Sequence, residues 1–241
     1  MPEKQPIPSA WTRPKRHREQ PALSREHIVS EAVKLLDAEG IDALSMRRLG
    51  ARLGAGATSL YRHVANRDEL IELVVDEVYG EIEVPGPEDL ESWRVAVIVC
   101  AHGARAAILR HPWLVSVLGQ AGLAYLGPNV LRLNDRMLAL FEAAGFGTRE
   151  ADQALGTVMA YVIGIGISEA ATLTMLGRSG QDEREWQDRL RPAAEEAARD
   201  YPRLLDQFAE HAREDPRKIR DDDFAYGLER ILDGLENRPA S

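Results

Sequence analysis

Residues 24–70 contain a repeated pattern that starts a helix and ends it within a few turns. Ser24 can cap a helix N-terminus with its side-chain oxygen, and Leu23 and Ile28 have the spacing of a hydrophobic staple around that cap. Apolar residues then recur every three or four positions until Gly40, a residue type that commonly ends helices. The pattern predicts short amphipathic helices, and we find no alternation of apolar and polar residues that would predict β-strands.

The helix-starting pattern recurs further along the same segment. Ser45 precedes a second short helix that ends near Gly54, and Asn66 precedes a fourth that runs to about Tyr79, with Glu69 at capping-box spacing. A third short helix, in the segment ATSLYRHV, lies between them. The second and third helices are joined by a short Gly-containing connection, which is the layout of a helix-turn-helix.

Charge is distributed unevenly along the chain. The protein has 241 residues and a formal net charge of -9, but residues 1–70 contain 12 Lys and Arg against 9 Asp and Glu. Residues 71–241 contain 18 against 30. Because an acidic surface repels nucleic acid, any surface that binds DNA must lie in the N-terminal part.

Residues 1–23 are rich in proline and basic residues and have no helical period, so we predict a flexible basic arm. Two interpretations of the arm remain open. Its basic residues could lie along the phosphates or in a minor groove, or they could only raise nonspecific affinity for DNA. These residues are Arg13, Lys15, Arg16 and Arg18.

Longer helical patterns dominate residues 81–241. A helix near 93–109 has two apolar stripes, one through Val95 and Val99 and the other through Val97, so we expect it to be buried on both faces. Further helices are predicted at 113–120, 128–144, 149–176, 185–199, 202–213 and 222–236.

Cysteine content and apolar runs bear on the compartment. The one cysteine, Cys100, excludes an intrachain disulfide and lies among apolar residues, where we expect a buried thiol. Residues 1–23 lack the apolar stretch of a secretory signal, and the longest apolar runs, VAVIVCA and MAYVIGIGI, are shorter than a membrane span. We therefore expect a cytoplasmic protein with no membrane partner.

The motifs LSMRRL, LG, LYRHV and NR occur in this order and close together between Ile28 and Leu70. With them, the segment resembles the DNA-binding region of the tetracycline-repressor (TetR) family of bacterial transcription regulators. The C-terminal part is similar more loosely, through its long helices and the segments RHPWL and GPNVL. The resemblance implies an all-helical homodimer. Residues 24–70 would form a three-helix DNA-binding head, residues 67–79 a connecting helix, and residues 81–241 an effector-binding and dimerisation domain.

The third helix is the predicted reading element. A major groove admits a helix whose first turn meets the base edges, and the small residues Ala57, Thr58 and Ser59 allow a close approach. Arg62 could reach guanine as a bidentate donor, and Tyr61 could contact a thymine methyl group or a phosphate.

Other residues of the head are also candidates for contacts with DNA. The resemblance implies that Arg47, on the second helix, reaches a base or the backbone, and Arg67 opens the fourth helix, where free amides favour a phosphate. For His63 we expect a contact with the DNA backbone. The alternative is that His63 packs within the protein or caps a helix. For Arg48 and Arg52 we favour exposed helix surface.

Two apolar stripes in the C-terminal part are candidates for dimerisation, because a two-fold pairing of them would form a four-helix bundle. The alternative is that both serve only the core of one chain. The first stripe, rich in small residues, is Gly156, Ala160, Gly164, Ile167 and Ala171. The second is Phe224, Leu228, Ile231, Leu232 and Leu235.

Polar or bulky residues on apolar stripes are candidates for an effector pocket, and as a set they suit a mixed polar and aromatic small molecule. Taken singly, each is better explained by core packing or a satisfied buried hydrogen bond, and Glu169 could instead pair with an arginine at the dimer interface. The candidates are His102, Trp113, Asn129, Met137, Tyr161 and Glu169.

The resemblance implies a ligand-responsive regulator, and more specifically a repressor that a small effector releases from a near-palindromic operator. Two other classes of function are possible alternatives. An enzyme is disfavoured because we find no P-loop, G-x-S-x-G or H-E-x-x-H motif, and His102 and His111 lack a partner at metal-ligand spacing. We therefore predict no catalytic residue, metal or cofactor. An effector-independent architectural DNA binder would be basic throughout. A protein–protein adaptor would not need the predicted DNA contacts Arg47, Arg62 and Arg67.

Overall fold

The computed structural model describes residues 23–85, 92–118, 127–180 and 182–237. Within these ranges the regular elements are all helices, which confirms the all-helical prediction. They are α1 Arg25–Glu39, a 3-10 helix Ile41–Ala43, α2 Met46–Arg52, α3 Ala57–Leu60, α4 Arg67–Tyr79, α5 Trp93–Arg110, α6 Leu114–Leu118, α7 Pro128–Ala143, α8 Thr148–Ser179, α9 Glu183–Ala197, α10 Pro202–His211 and α11 Pro216–Glu236.

The predicted caps form as hydrogen bonds in the N-terminal helices. The Ser24 hydroxyl accepts from the amide of His27, and Asn66 Oδ1 accepts from the amide of Glu69 at 2.8 Å. In the predicted capping box, the Glu69 carboxylate was expected to accept from the amide of Asn66. It accepts instead from the amide of Ala65, one residue earlier. Gly40 ends α1 with φ 78°, a left-handed value that favours glycine.

Helices α1, α2, α3 and α4 form the N-terminal bundle, in which α1 packs against both α2 and α4. Their buried side chains include Ile28 and Leu35 of α1, Leu49 of α2 and Leu70 of α4, all without solvent exposure. Helix α4 continues from this bundle to contact α7 and α5 in the C-terminal part.

Helix α5 is buried on one face only. Ala96, Val97 and Cys100 are buried, whereas Val95 and Val99 remain 45% and 39% exposed. The expectation that both faces are buried is therefore wrong for the single chain. The buried face packs against α8, because Gly166 lets the two helices approach: a Cβ there would lie 2.9 Å from the Ile108 side chain.

Helix α8 is the central helix of the C-terminal part and contacts α5, α7 and α11. Among the described residues it is the one helix long and apolar enough to cross a membrane by length and composition, although its apolar runs are interrupted by small and polar residues. The face that packs against these three helices accounts for part of that apolar composition.

The last helix begins earlier than predicted. Helix α11 starts at Pro216 instead of residue 222, because the Asp215 carboxylate caps it by accepting from the amides of Arg217 and Lys218. Proline at the first position suits a helix start, since its missing amide would have had no partner there.

Candidate DNA-binding head and effector domain

A tight turn joins α2 to α3, and Gly50 makes it possible. A Cβ at residue 50 would lie 2.8 Å from the carbonyl oxygen of Ala55 and 3.4 Å from the amide of Ala57, both backbone atoms. Gly54 supplies a left-handed residue in the same turn, with φ 62°. Glycine inside α2, which by propensity alone destabilises a helix, is thus required for the helix-turn-helix approach.

The third helix is shorter than predicted: α3 is a single turn that ends at Leu60, and residues 61–63 form a turn instead of continuing the helix. The predicted reading residues nevertheless lie together around α3. Thr58 and Arg62 are exposed, Tyr61 is 52% exposed, and Ala57, Ser59 and His63 are half-buried. Arg47, on α2, is also exposed, and neither Arg47 nor Arg62 forms a hydrogen bond or ion pair with another described residue. Their donors are therefore available to a ligand as far as the described residues are concerned.

Arg67 is engaged inside the head. Its Nε donates to the carbonyl of Leu44 and its Nη2 to the carbonyl of Ile41, both at 3.3 Å, so that the start of α4 is held against the 3-10 helix. A second clamp, which the sequence did not reveal, is Arg25, whose Nε donates to the carbonyl of His63 at 3.2 Å. A phosphate contact by Arg67 stays a prediction.

Arg48 and Arg52 pair with carboxylates of α1, as expected for exposed helix surface. Arg48 pairs with Glu39, and Arg52 Nη2 lies 3.7 Å from Glu31. The predicted basic arm lies outside the described residues, apart from Leu23.

Three of the six predicted pocket residues gather around the Phe224 ring. Tyr161 stacks on it with a centroid distance of 5.6 Å, and the edge of His102 faces it at 5.0 Å. Glu169 is placed beside this group by Arg105, whose Nε and Nη2 donate to its carboxylate at 2.8 and 3.0 Å. The arginine that pairs with Glu169 therefore belongs to the same chain.

Electrostatics in this group follow from burial. His102 is exposed, but the partial burial of its ring lowers its pKa, and the positive charge of Arg105 lowers it further. Burial raises the pKa of Tyr161, with the Asp223 and Glu169 charges adding to it. Burial disfavours charged Arg105, but its hydrogen bonds to Glu169 and Asp221 outweigh that effect and its pKa is raised.

The other three predicted pocket residues lie apart from this group. Trp113 Nε1 donates to Asp37 of α1 at 2.8 Å, and Met137 is fully buried in the core. The Asn129 side chain donates to Asp76 of α4. The structure therefore does not bring the six residues around one cavity.

A cleft of about 520 Å³ opens elsewhere in the C-terminal part. It lies between the start of α6 and the C-terminal half of α8, and none of the six predicted residues lines it. Its lining includes Val115, Ser116, Thr174, Met175 and Arg178. Its volume falls in the range of small-molecule sites.

Comparison with known protein families covers most of the chain. Residues 28–74 match the family model described as "Bacterial regulatory proteins, tetR family", and residues 85–238 match "Tetracyclin repressor-like, C-terminal domain". The chain belongs to the TetR family. It is a helix-turn-helix regulator of transcription, and the resemblance seen in the sequence is confirmed.

Related regulators of transcription are similar to this chain over most of their length. A helix-turn-helix transcriptional regulator of Saccharopolyspora erythraea is 38% identical over 83% of this chain and 81% of that protein. The transcriptional repressor DrrR1 of Streptomyces coeruleorubidus is 34% identical over 90% of this chain and 78% of its own. The structure of ActR from Streptomyces coelicolor in complex with actinorhodin is 32% identical, with a TM-score of 0.73, and the match covers 89% of this chain and 95% of ActR.

Proposed function

We propose that this TetR family protein is a repressor that binds a near-palindromic operator as a homodimer and leaves it when a small effector binds. The arrangement around α3 carries the proposal: small residues in its first turn, flanked by the exposed side chains of Tyr61, Arg62 and Arg47. In a major groove, guanidinium groups can donate to guanine, and small residues let the helix approach the bases closely. The relative DrrR1, described as a repressor, supports the direction of regulation.

The reading of DNA is tested by selecting duplexes from a random pool with the full-length protein, then titrating salt on the selected site. We expect a near-palindrome bound far more tightly than random duplex. Arg62→Ala should relax the preference at one position of each half-site, and the paired Arg48→Ala serves as its control. An unchanged ranking of sites in Arg62→Ala would remove Arg62 from base reading.

The dimer is proposed on the α8 stripe, most of which has no partner within the chain. Gly156, Ala160, Gly164 and Ala171 are exposed and Ile167 is half-buried. A Cβ at Gly156 or Gly164 would meet nothing within 4 Å, so a second copy could approach this face closely. Two heads in one dimer would also match two half-sites one helical turn apart.

On α11 the partner face differs from the predicted apolar stripe. Phe224, Leu228 and Leu232 are buried in the core of their own chain, which leaves the outward face beside them for a second copy. That face presents Tyr226, 69% exposed, with the Arg230 guanidinium 5.5 Å from its ring centroid. We therefore include Tyr226 and Arg230 in the proposed interface.

The interface is tested by sedimentation of Gly164→Leu against Gly177→Leu. Both glycines are exposed positions of α8 with open space for a side chain, but residue 177 lies off the stripe. We expect Gly164→Leu to weaken the dimer and Gly177→Leu to leave it intact. Equal dimerisation of the two variants would place the interface elsewhere.

The effector is proposed to be a small molecule with polar and aromatic groups that binds among the helices of residues 81–241. The structure of ActR in complex with actinorhodin supports this assignment, because ActR is 32% identical to this chain. Operator release by actinorhodin is the first assay. The cleft shares Ala171 with the proposed dimer face, so Thr174→Trp is first shown to dimerise and to bind the operator. It would then fill the cleft and abolish release if the effector lies there, whereas Arg149→Trp, an exposed change at the start of the same helix, should not.

Catalysis is not part of this proposal, because regulation accounts for the residues that the head exposes. The predicted cytoplasmic location follows from the same function, since the operator lies in that compartment. A purified protein that turned over a bound effector would contradict the first of these statements.

A further inference from the structure

Helix α7 has no capping side chain of its own, because its N-cap residue is Gly127. The carboxylate of Asp76, which lies on α4, takes that role. It accepts from the backbone amides of Asn129 and Val130 at 2.9 and 3.0 Å, and from the Asn129 side-chain amide at 3.1 Å. The same side-chain amide lies 3.0 Å from the Asp76 carbonyl oxygen. A negative charge is thus held at the positive end of a 16-residue helix.

Two glycines make this contact possible. A Cβ at Gly127 would overlap the Asp76 carboxyl group, and a Cβ at Gly80 would lie 3.0 Å from the Asn129 side-chain nitrogen. The end of α4 and the start of α7 can therefore approach only because neither position carries a side chain.

At its other end, α4 is fixed to the DNA-binding head. Arg67 donates to the carbonyls of Ile41 and Leu44, and Leu70 and Val74 are buried without solvent exposure. Since α4 packs along α1, a displacement of α4 carries the head with it. The Asp76 carboxylate is thus one junction between the C-terminal part and the head, and Asp37 of α1, which accepts from Trp113, is a second.

We propose that Asp76 is the positioning residue through which α7 sets the position of the DNA-binding head. The clasp between Asp76 and the first turn of α7 holds the head in its operator-binding position, and an effector that displaces this turn moves α4 with it. Such coupling requires contacts that differ between two states, and the effector would supply this difference by breaking the hydrogen bonds to Asp76. The inference deepens the proposed function and rests on it for its operator measurement.

The test compares Asp76→Ala and Asp76→Asn with Asp215→Ala in the full-length protein. Asp215 is a matched control, because its carboxylate also caps a helix, α11, but within the C-terminal part. Amide hydrogen exchange and affinity for the selected operator and for random duplex are measured for each variant. Asp76→Asn keeps one acceptor and serves if the alanine variant does not fold.

We expect Asp76→Ala to speed amide exchange in the first turn of α7 and also along α4. Its operator affinity should fall about fivefold or more, while its affinity for random duplex stays unchanged because the contact surface of the head is intact. Asp76→Asn should lie between. Asp215→Ala should speed exchange only at the start of α11 and change operator affinity by less than about twofold.

Faster exchange confined to α7, with operator affinity unchanged, would overturn the inference and leave Asp76 a local cap. Should the wild-type protein select no operator, the proposed function fails, and the exchange of α4 still decides the inference. Faster exchange along α4 then supports the coupling, and unchanged exchange there refutes it.

Discussion

The ion pair between Arg105 and Glu169 offers a quantitative test of the C-terminal core. Both side chains are only 8% exposed, whereas Asp221, which accepts from Arg105 Nη1 at 2.8 Å, is 68% exposed. The guanidinium carbon also lies 4.7 Å from the Phe224 ring centroid. Two carboxylates at the same distance from one guanidinium thus differ in burial, which allows burial and contact to be separated.

Removing Glu169 leaves a buried guanidinium with two donors unpaired. Loss of one member of a buried pair costs about 3 to 5 kcal/mol in the free energy of unfolding, so Glu169→Ala should be strongly destabilised. Asp221→Ala should cost less than about 1 kcal/mol, because water and salt screen the attraction of an exposed carboxylate and ordering its side chain costs entropy. In a chain of this length these values correspond to decreases in Tm of roughly 6–20 °C and less than about 4 °C.

The assay is urea unfolding followed by circular dichroism at neutral pH and a fixed protein concentration, since dimerisation makes apparent stability depend on concentration. The double variant Arg105→Met with Glu169→Met should recover most of the loss, because apolar side chains of similar size replace the pair without leaving a buried charge. Equal costs for Glu169→Ala and Asp221→Ala would refute the argument that burial sets the energy.

Three further predictions concern other parts of the chain. Burial raises the pKa of the Cys100 thiol to about 12, so in the native protein it should resist a thiol reagent that labels it fully in urea; equal labelling rates would show that the thiol is accessible. Gly50→Ala should cost about 1–3 kcal/mol and weaken operator binding, because backbone atoms of the turn must move, whereas Gly56→Ala, with open space, should cost less than about 0.5 kcal/mol. Equal stabilities of these two variants would contradict the close approach of α2 to the turn. The pKa of His102 in the folded chain lies below its ordinary value of 6.5, so the unfolded chain binds the proton more readily. The free energy of unfolding should therefore fall as the pH drops through 6.5 and below. His102→Asn should reduce the loss of unfolding free energy between about pH 7.5 and pH 5.5, and an unreduced loss would exclude His102 as its source.

Much of the N-terminal part could be predicted from the sequence because its signals are local. Ser24 caps α1 through an amide three residues ahead, and Asn66 does the same for α4. Such contacts lie within one helical turn, so sequence spacing specifies them directly. The residues around α3 follow from the same local pattern, and their roles towards DNA stay predictions.

The pairings between distant residues were decided by the tertiary structure. Asn129 and Glu169 were both candidates for the pocket, but they meet Asp76, 53 residues away, and Arg105, 64 residues away. No spacing rule connects residues so far apart, because helix packing alone brings them together. The same holds for Trp113, which meets Asp37 of α1.

Packing also decided which face of an amphipathic helix is buried. The apolar periodicity of α8 and α11 is visible in the sequence, yet periodicity gives the existence of a face and not its neighbour. The fold buries Phe224 and Leu228 in their own chain and leaves Gly164 and Tyr226 on the outside. Local interactions specify the DNA-binding motif and the positions of most helices, so both could be predicted from the sequence. The side chains left for a partner, and the carboxylate that joins α4 to α7, were determined only when the helices packed.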